Sequence, residues 1–481
     1  MMMTRNLTLA LLVLVAGLAA PACADDVRND TVSGLVIAAY FGGSDFSGRD
    51  ASTEAPQDNG ASSLITAAPT DDTKTVDRLI TAASTGDMGS IEQILAAEPA
   101  LVNSRDRLKN TPLHYAALNG HPETCRLLVS LGADVNARGQ LGAAPLHCAA
   151  RQGHKDTARA LIESGADINA MCDLGHTPLH LAAENGHEGL VTFLLLRRAD
   201  PNAIAGPGAR SVLSVAVESL AGSPEAFRGA AATAPLSGRT GYRDIIDVLL
   251  EAGADPDVGL SSLAIAVRFR QRDIAERLLK EGAAPSVPER YGWTALHWAA
   301  ANGDMSFLLK ACLDKGADVD ILDDAANTPL HWAAAADKAH AVDVLLYAGA
   351  DIEAANVNGR TPLHLAAETV STAAARVLLE RGANVNALDT WSSTPLHRVF
   401  THGDTPPDEQ KFKFVAHRAE FFSPPMLENP LVTPDTRAEV VKLLIDAGAA
   451  PAAKDRGGMT PADLARARGI EYPLSSPTPQ K

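Results

Sequence analysis

The sequence predicts an all-helical solenoid of stacked helix pairs, and three observations predict it. The string Thr-Pro-Leu-His opens at Thr111, Thr177, Thr328, Thr361 and Thr394, with near copies at Ala144 and Thr294. The starts at 111, 144 and 177 lie 33 residues apart, as do those at 328, 361 and 394. A second marker, Gly-Ala-Asp or a variant, follows after 21 residues, as at Gly132, Gly165 and Gly349. Composition supplies the third observation: hydrophobic residues make up 46% of the 481-residue chain and aromatics only 4%, an apolar mass of Ala and Leu that suits closely spaced helices. A chain this long exceeds what one compact core organises, and an open-ended repeat array answers that.

Residues 1–24 read as an export leader. Arg5 gives a short basic start, Leu7 to Ala20 an apolar run too short to span a bilayer comfortably, and Pro21 breaks it before the small residues Ala22 and Ala24. Cleavage is expected before Asp25, leaving a mature chain without a membrane span, periplasmic or secreted. A lipid anchor at Cys23 is the alternative, although Ala20 stands where a Leu-like residue is wanted. Residues 25–74, rich in Asp, Ser, Gly, Thr and Ala, lack sustained periodicity and read as a flexible segment. Residues 75–110 carry helix cores at Ala82-Ala83 and Ile91 to Leu95 but no opening motif, which fits an N-terminal cap.

The unit opening at Thr111 shows why the repeat folds. The Thr111 hydroxyl can cap a helix, and Pro112 suits the first helical position, where no backbone N–H is needed. Ala116 and Ala117 allow neighbouring units to approach, and Gly120 permits a left-handed turn. A second helix follows, its apolar face expected at Cys125, Leu127, Leu128 and Leu131, before residues 134–142 return through a polar, β-hairpin-like turn. No unit can bury both faces alone, so neighbours must stack. Nine units start at 111, 144, 177, 211, 261, 294, 328, 361 and 394; the starts at 211 and 261 are degenerate. Two insertions part the helices of a unit, one near 220–240 and one near 405–437 that holds Phe412, Phe414, Phe421 and Phe422. A cap at 460–470 supplies only a first helix, and residues 471–481 form a tail.

The two phased markers resemble those of the ankyrin family, whose 33-residue unit is a turn and two antiparallel helices opened by Thr-Pro-Leu-His-x-Ala. The likeness covers about residues 75–470. It implies an ankyrin solenoid in which the motif histidine makes structural hydrogen bonds between units. It also implies a concave face, lined by hairpin tips and first helices, that holds a protein partner.

The remaining chemistry is sparse. Seven of the fourteen histidines occupy the motif position, and stacked helices about 8 to 10 Å apart cannot bring successive imidazoles to one metal, whose ligands sit about 2 Å from the ion. No metal, cofactor or catalytic residue is assigned: His187-Glu188 lacks a second zinc-protease His, and Gly206-Pro207-Gly208 lacks a third glycine. Cys125, Cys148, Cys172 and Cys312 show no paired spacing, leaving disulfides open. A net charge of −16, or −17 once Arg5 leaves with the leader (41 basic against 58 acidic residues), disfavours nucleic acid.

Candidate contact residues are Tyr291, Trp293 and Trp391, rigid aromatics placed on hairpin tips, and the basic knot of Arg268, Phe269, Arg270 and Arg272, which could meet an acidic partner or pair with Asp273 and Glu276. Trp298 and Trp332, next to motif histidines, are expected between units. The reading is a monomeric, non-catalytic protein-binding scaffold in an exported compartment. The alternatives are an inhibitor or immunity-type protein that occludes an exported enzyme, and an enzyme or ligand-binding protein using the 405–437 insertion.

Overall fold

The computed structural model describes residues 71–206, 208–221, 240–303, 306–401, 433–470 and 472. The leader, Cys23, nearly all of the 25–74 segment, the bulk of both insertions and the tail lie outside the described residues. Among the described residues twenty-one α-helices follow one another, all but the last in pairs. A first pair, α1 (Asp71–Thr85) and α2 (Met88–Ala97), precedes the units. The next three units carry α3 (Pro112–Leu118) with α4 (Pro122–Ser130), α5 (Pro145–Gln152) with α6 (Lys155–Glu163), and α7 (Pro178–Glu184) with α8 (Glu188–Leu196). Then come α9 (Val212–Ala221) with α10 (Thr240–Glu251), α11 (Ser262–Arg268) with α12 (Arg272–Lys280), and α13 (Ala295–Ala301) with α14 (Ser306–Asp314). The series ends with α15 (Pro329–Ala335) and α16 (Ala339–Tyr347), α17 (Pro362–Glu368) and α18 (Thr372–Glu380), α19 (Pro395–Arg398) and α20 (Pro434–Asp446), and a lone α21 (Pro461–Ala467). Among the described residues the strands are β1 (Ile204–Ala205) and β2 (Arg210–Ser211), an antiparallel pair with Ile204 opposite Ser211.

One core runs through every pair. The motif leucines Leu113, Leu146, Leu179, Leu296, Leu330, Leu363 and Leu396, with Leu213 and Leu263 in the degenerate units, join the Ala pairs of first helices and the inner faces of second helices in a single buried cluster. Each buried Leu contributes about 2 kcal/mol of hydrophobic stabilisation.

Polar links join units in both directions. Each motif imidazole takes the opening residue's backbone N–H on Nδ1, as His331 does from Thr328 at 3.1 Å. That leaves Nε2 as the donor, and it reaches a carbonyl of the next unit: His114 to Ala143, His147 to His176, His331 to Arg360, His364 to Ser393, at 2.9 to 3.1 Å. Second-helix starts reach backwards, His121 to the Ser84 carbonyl, His154 to Leu118 and His187 to Arg151. A third link is an asparagine clasp: Asn136 accepts the Asp167 N–H and donates to the Gly165 carbonyl, and Asn386 does the same with Ala450 and Gly448.

Thr111 caps α3 as expected, in a capping box with His114 whose imidazole also lies 2.9 Å from the Thr111 hydroxyl. Three expectations change. Leu131 is 41% exposed, because it is the C-cap of α4 and points past the core. Residues 71–74 are helical, extending α1 into the segment read as flexible. Residues 434–437, assigned by spacing to the second insertion, form the first turn of α20, where Thr433 caps and Pro434 opens the helix.

Candidate functional site

The side chains that could meet a partner are positioned by a carboxylate five residues before the openings at 111, 294, 328, 394 and 460, where the other units carry Gly139, Cys172, Gly206, Pro256 and Asn356. Its first oxygen builds the hairpin tip by accepting two backbone N–H groups, as Asp106 does from Leu108 and Asn110, Asp323 from Ala325 and Asn327, and Asp389 from Trp391 and Ser393. Its second oxygen reads the first-helix residue nine positions later: Asp106 accepts from the Tyr115 hydroxyl, Glu289 from Trp298 Nε1 at 3.0 Å, Asp323 from Trp332 Nε1 at 2.9 Å, and Asp389 from Arg398. The tips are then joined by single backbone bonds, Asp324 to the Tyr291 carbonyl, Val357 to Ala325, Thr390 to Asn358 and Arg456 to Trp391.

Around the units opening at 261, 294 and 328 this pattern assembles an aromatic and charged cluster. Trp293 lies between Trp298 and Trp332, with both ring centroids 4.3 Å away. Arg268 pairs with Glu289 at 2.5 Å and lies over both the Trp298 and Phe269 rings. Burial pushes the Glu289 carboxyl above its usual range, against the opposing pull of Arg268. Along the same face, burial also raises Glu184, beside an Arg210–Glu218 pair at 2.6 Å.

A second cluster sits further along the array, at the hairpin before the unit opening at 394. Trp391 has the guanidinium of Arg360 at 5.6 Å and that of Arg398 at 5.2 Å from its ring centre. Arg398 is buried, with its charge met by Asp389, and Arg360 pairs with Glu368 at 3.0 Å.

The predicted contact residues therefore fare differently. Tyr291 and Trp391 are half-buried and sit at hairpin tips, as the sequence places them. Trp293 does not project from its tip; it is 7% exposed, because one residue before the motif the chain already turns inward between two tryptophans. Within the basic knot Arg272 pairs with Glu276 as expected, while Arg268 is engaged with Glu289 and Asp273 pairs with Arg243 instead. Phe269 is half-buried beneath Arg268, and Arg270 is exposed at a turn with φ of 57°. The structure brings Arg268, Phe269 and Trp293 into one cluster and leaves Trp391 in the other. Trp298 and Trp332 lie between units as expected.

Sequence reasoning missed the carboxylates Glu289, Asp323 and Asp389 and the buried Arg398. Their signal was legible as an acid followed nine residues later by Tyr, Trp or Arg, a recurrence masked by the stronger motif between them. Among the described residues no group of three or more His, Cys, Asp or Glu could hold a metal ion, and no helix is long and apolar enough to cross a membrane.

Comparison with known proteins agrees with this architecture. A family model for ankyrin repeats (three copies) matches residues 35–139, 138–205, 236–312, 263–356, 300–389 and 340–404, well over half of the chain. The ankyrin repeat and KH domain-containing protein mask-1 of Caenorhabditis elegans is 34% identical over 113 residues, 22% of this chain. The neurogenic locus notch homolog protein 1 of Xenopus tropicalis is 31% identical over 121 residues, 18% of this chain. The similar stretches span only 4% and 5% of those two proteins.

Proposed function

Because this chain belongs to the ankyrin-repeat family, we propose that it acts as a non-catalytic scaffold holding a protein partner in an exported compartment. The observation that carries the reading is the tip geometry. Carboxylate turns and tip-to-tip backbone bonds fix a row of hairpins, and half-buried Tyr291 and Trp391 stand on it with their backbones already ordered. Side chains held in place before binding lose less conformational freedom on contact, the usual basis of aromatic anchors. Export is supported by Arg5, the Leu7 to Ala20 run and Ala22 to Ala24. N-terminal sequencing of secreted material tests it: a chain beginning at Asp25 is expected, and one beginning at Met1 refutes it.

The binding test is a pull-down with the mature chain from its native exported fraction, followed by titration of the captured partner. A Tyr291→Ala and Trp391→Ala variant should bind at least about thirtyfold more weakly, the effect of losing one anchor worth about 2 kcal/mol. Unchanged affinity in a variant with native circular dichroism removes these two residues from the interface. Loss of the partner's own enzymatic activity on binding would make the scaffold an inhibitor.

A further inference from the structure

We infer that the outer side of three consecutive hairpins is a docking ridge for a basic amphipathic helix of another protein; this deepens the scaffold reading and rests on it. Along each hairpin the residue five before the motif points inward, so those six and four before it point out, and exposure alternates accordingly around buried Asp323 and Asp389. In the first described hairpins this outer register carries Arg105, Arg107 and Arg138, and in the last it carries Lys454 and Arg456. Between them, in the hairpins before 328, 361 and 394, it turns apolar: Leu322 is 56% exposed, Val357 52% and Leu388 62%. Leu322 and Leu388 stand six residues before their motifs and Val357 four before its own, so three large outward apolar side chains of adjacent hairpins form a staggered row, where isolated exposed apolar residues would signify nothing.

Charge then selects the occupant. Residues 316–326, 349–359 and 382–392 hold seven carboxylates and no Lys or Arg. Asp318, Asp324, Asp351 and Glu353 are exposed beside the row. Spacing selects its form. Adjacent layers lie about 8 to 10 Å apart, and seven residues of an α-helix rise about 10 Å. A helix lying along the ridge thus sets residues i and i+14 over Leu322 and Leu388 and the turn around i+7 beside the offset Val357, with flanking Lys or Arg facing the carboxylates. The tips are bonded backbone to backbone, Val357 N–H to Ala325 and Thr390 N–H to Asn358, so the ridge keeps its spacing without a ligand.

The test uses a labelled peptide of about 18 residues, with Leu at every seventh position, Lys on both flanks and Ala elsewhere, titrated with the full chain by fluorescence anisotropy. Saturable binding is expected. Leu322→Asp with Leu388→Asp should weaken it at least tenfold, and Asp324→Asn with Glu353→Gln severalfold at low salt but not at high salt. Met171→Asp, in a hairpin away from the ridge, should leave it unchanged. The inference is overturned if the native chain does not bind the peptide, if a Glu-flanked peptide binds equally well, or if the double leucine variant, folded by circular dichroism, binds as the native chain does. It is also overturned if sedimentation shows a dimer that this variant abolishes, since the ridge would then hold a second copy. A ridge variant that keeps the native partner while the Tyr291 and Trp391 variant loses it sinks the ridge alone and leaves the scaffold reading standing.

Discussion

Each motif imidazole works only when neutral, since Nδ1 must accept while Nε2 donates. Burial holds His147, His331 and His364 down to about 4 and His180 to about 3. With the folded values below the unfolded value of about 6.5, acid protonates the unfolded chain first. The stability these groups provide is complete above pH of about 6.5 and is lost as pH falls toward about 4. Thermal unfolding should therefore show a falling Tm across that window. His331→Gln should cost about 1 to 3 kcal/mol at neutral pH and make the decline shallower; parallel curves for the two proteins would refute the assignment. Asp320 gives a prediction of opposite sign. It occupies the asparagine-clasp position and accepts the Asp351 N–H, but it has no amide to donate as Asn136 and Asn386 do. Burial, with Asp351 and Asp318 nearby, raises its carboxyl above the usual range. Asp320→Asn should add about 1 kcal/mol in urea unfolding at neutral pH. That gain should shrink in acid, because the native side chain regains a donor when it protonates. A neutral or harmful effect at pH 7 would show that the clasp needs only its acceptor.

At the scale of the hairpin and helix, the chain was legible wherever a residue serves its own turn and misleading where it serves a neighbour's. Thr111 to Ala117 and the glycines at 120 and 132 declare their element by propensity and backbone freedom, and the structure places them accordingly. Trp293 reads as a loop aromatic because its immediate neighbours are polar or small; only the next unit, through Trp332, decides that it is buried. Arg398 is similar: beside a motif histidine it looks like a solvated charge until Asp389 is placed against it. Trp293→Ala should consequently behave as a core truncation, lowering stability by about 3 to 5 kcal/mol. A loss below about 1 kcal/mol in chemical denaturation would return Trp293 to the surface.

Across the whole solenoid, stability is a sum over units and joints, and the joints are unequal. The forward imidazole link is present wherever the motif histidine is, but the units opening at Ser211 and Ser261 carry Ser214 and Ala264 there instead. Ser214 turns its hydroxyl back to the Ser211 carbonyl. Those two joints lie next to one another near the middle of the array, so the array should yield there before its flanks do. Hydrogen exchange in moderate urea should strip protection from α9 and α11 earlier than from α5 and α15. Simultaneous loss in all four would mean that packing alone sets the joint strength.

The forward links end on main-chain carbonyls, those of Ala143, His176, Arg210, Asn327, Arg360, Ser393 and Met459. Every residue type carries that acceptor, so this link asks no particular side chain of the hairpin it receives. At the joints that rest on it, rather than on side-chain pairs such as Trp293 with Trp332 or Arg138 with Asp173, a gene segment encoding one unit can be duplicated, lost or exchanged in frame without a matching change next door. The array can lengthen by recombination while its outer hairpin positions drift freely in charge and polarity, and a new binding surface can arise without the scaffold being solved again.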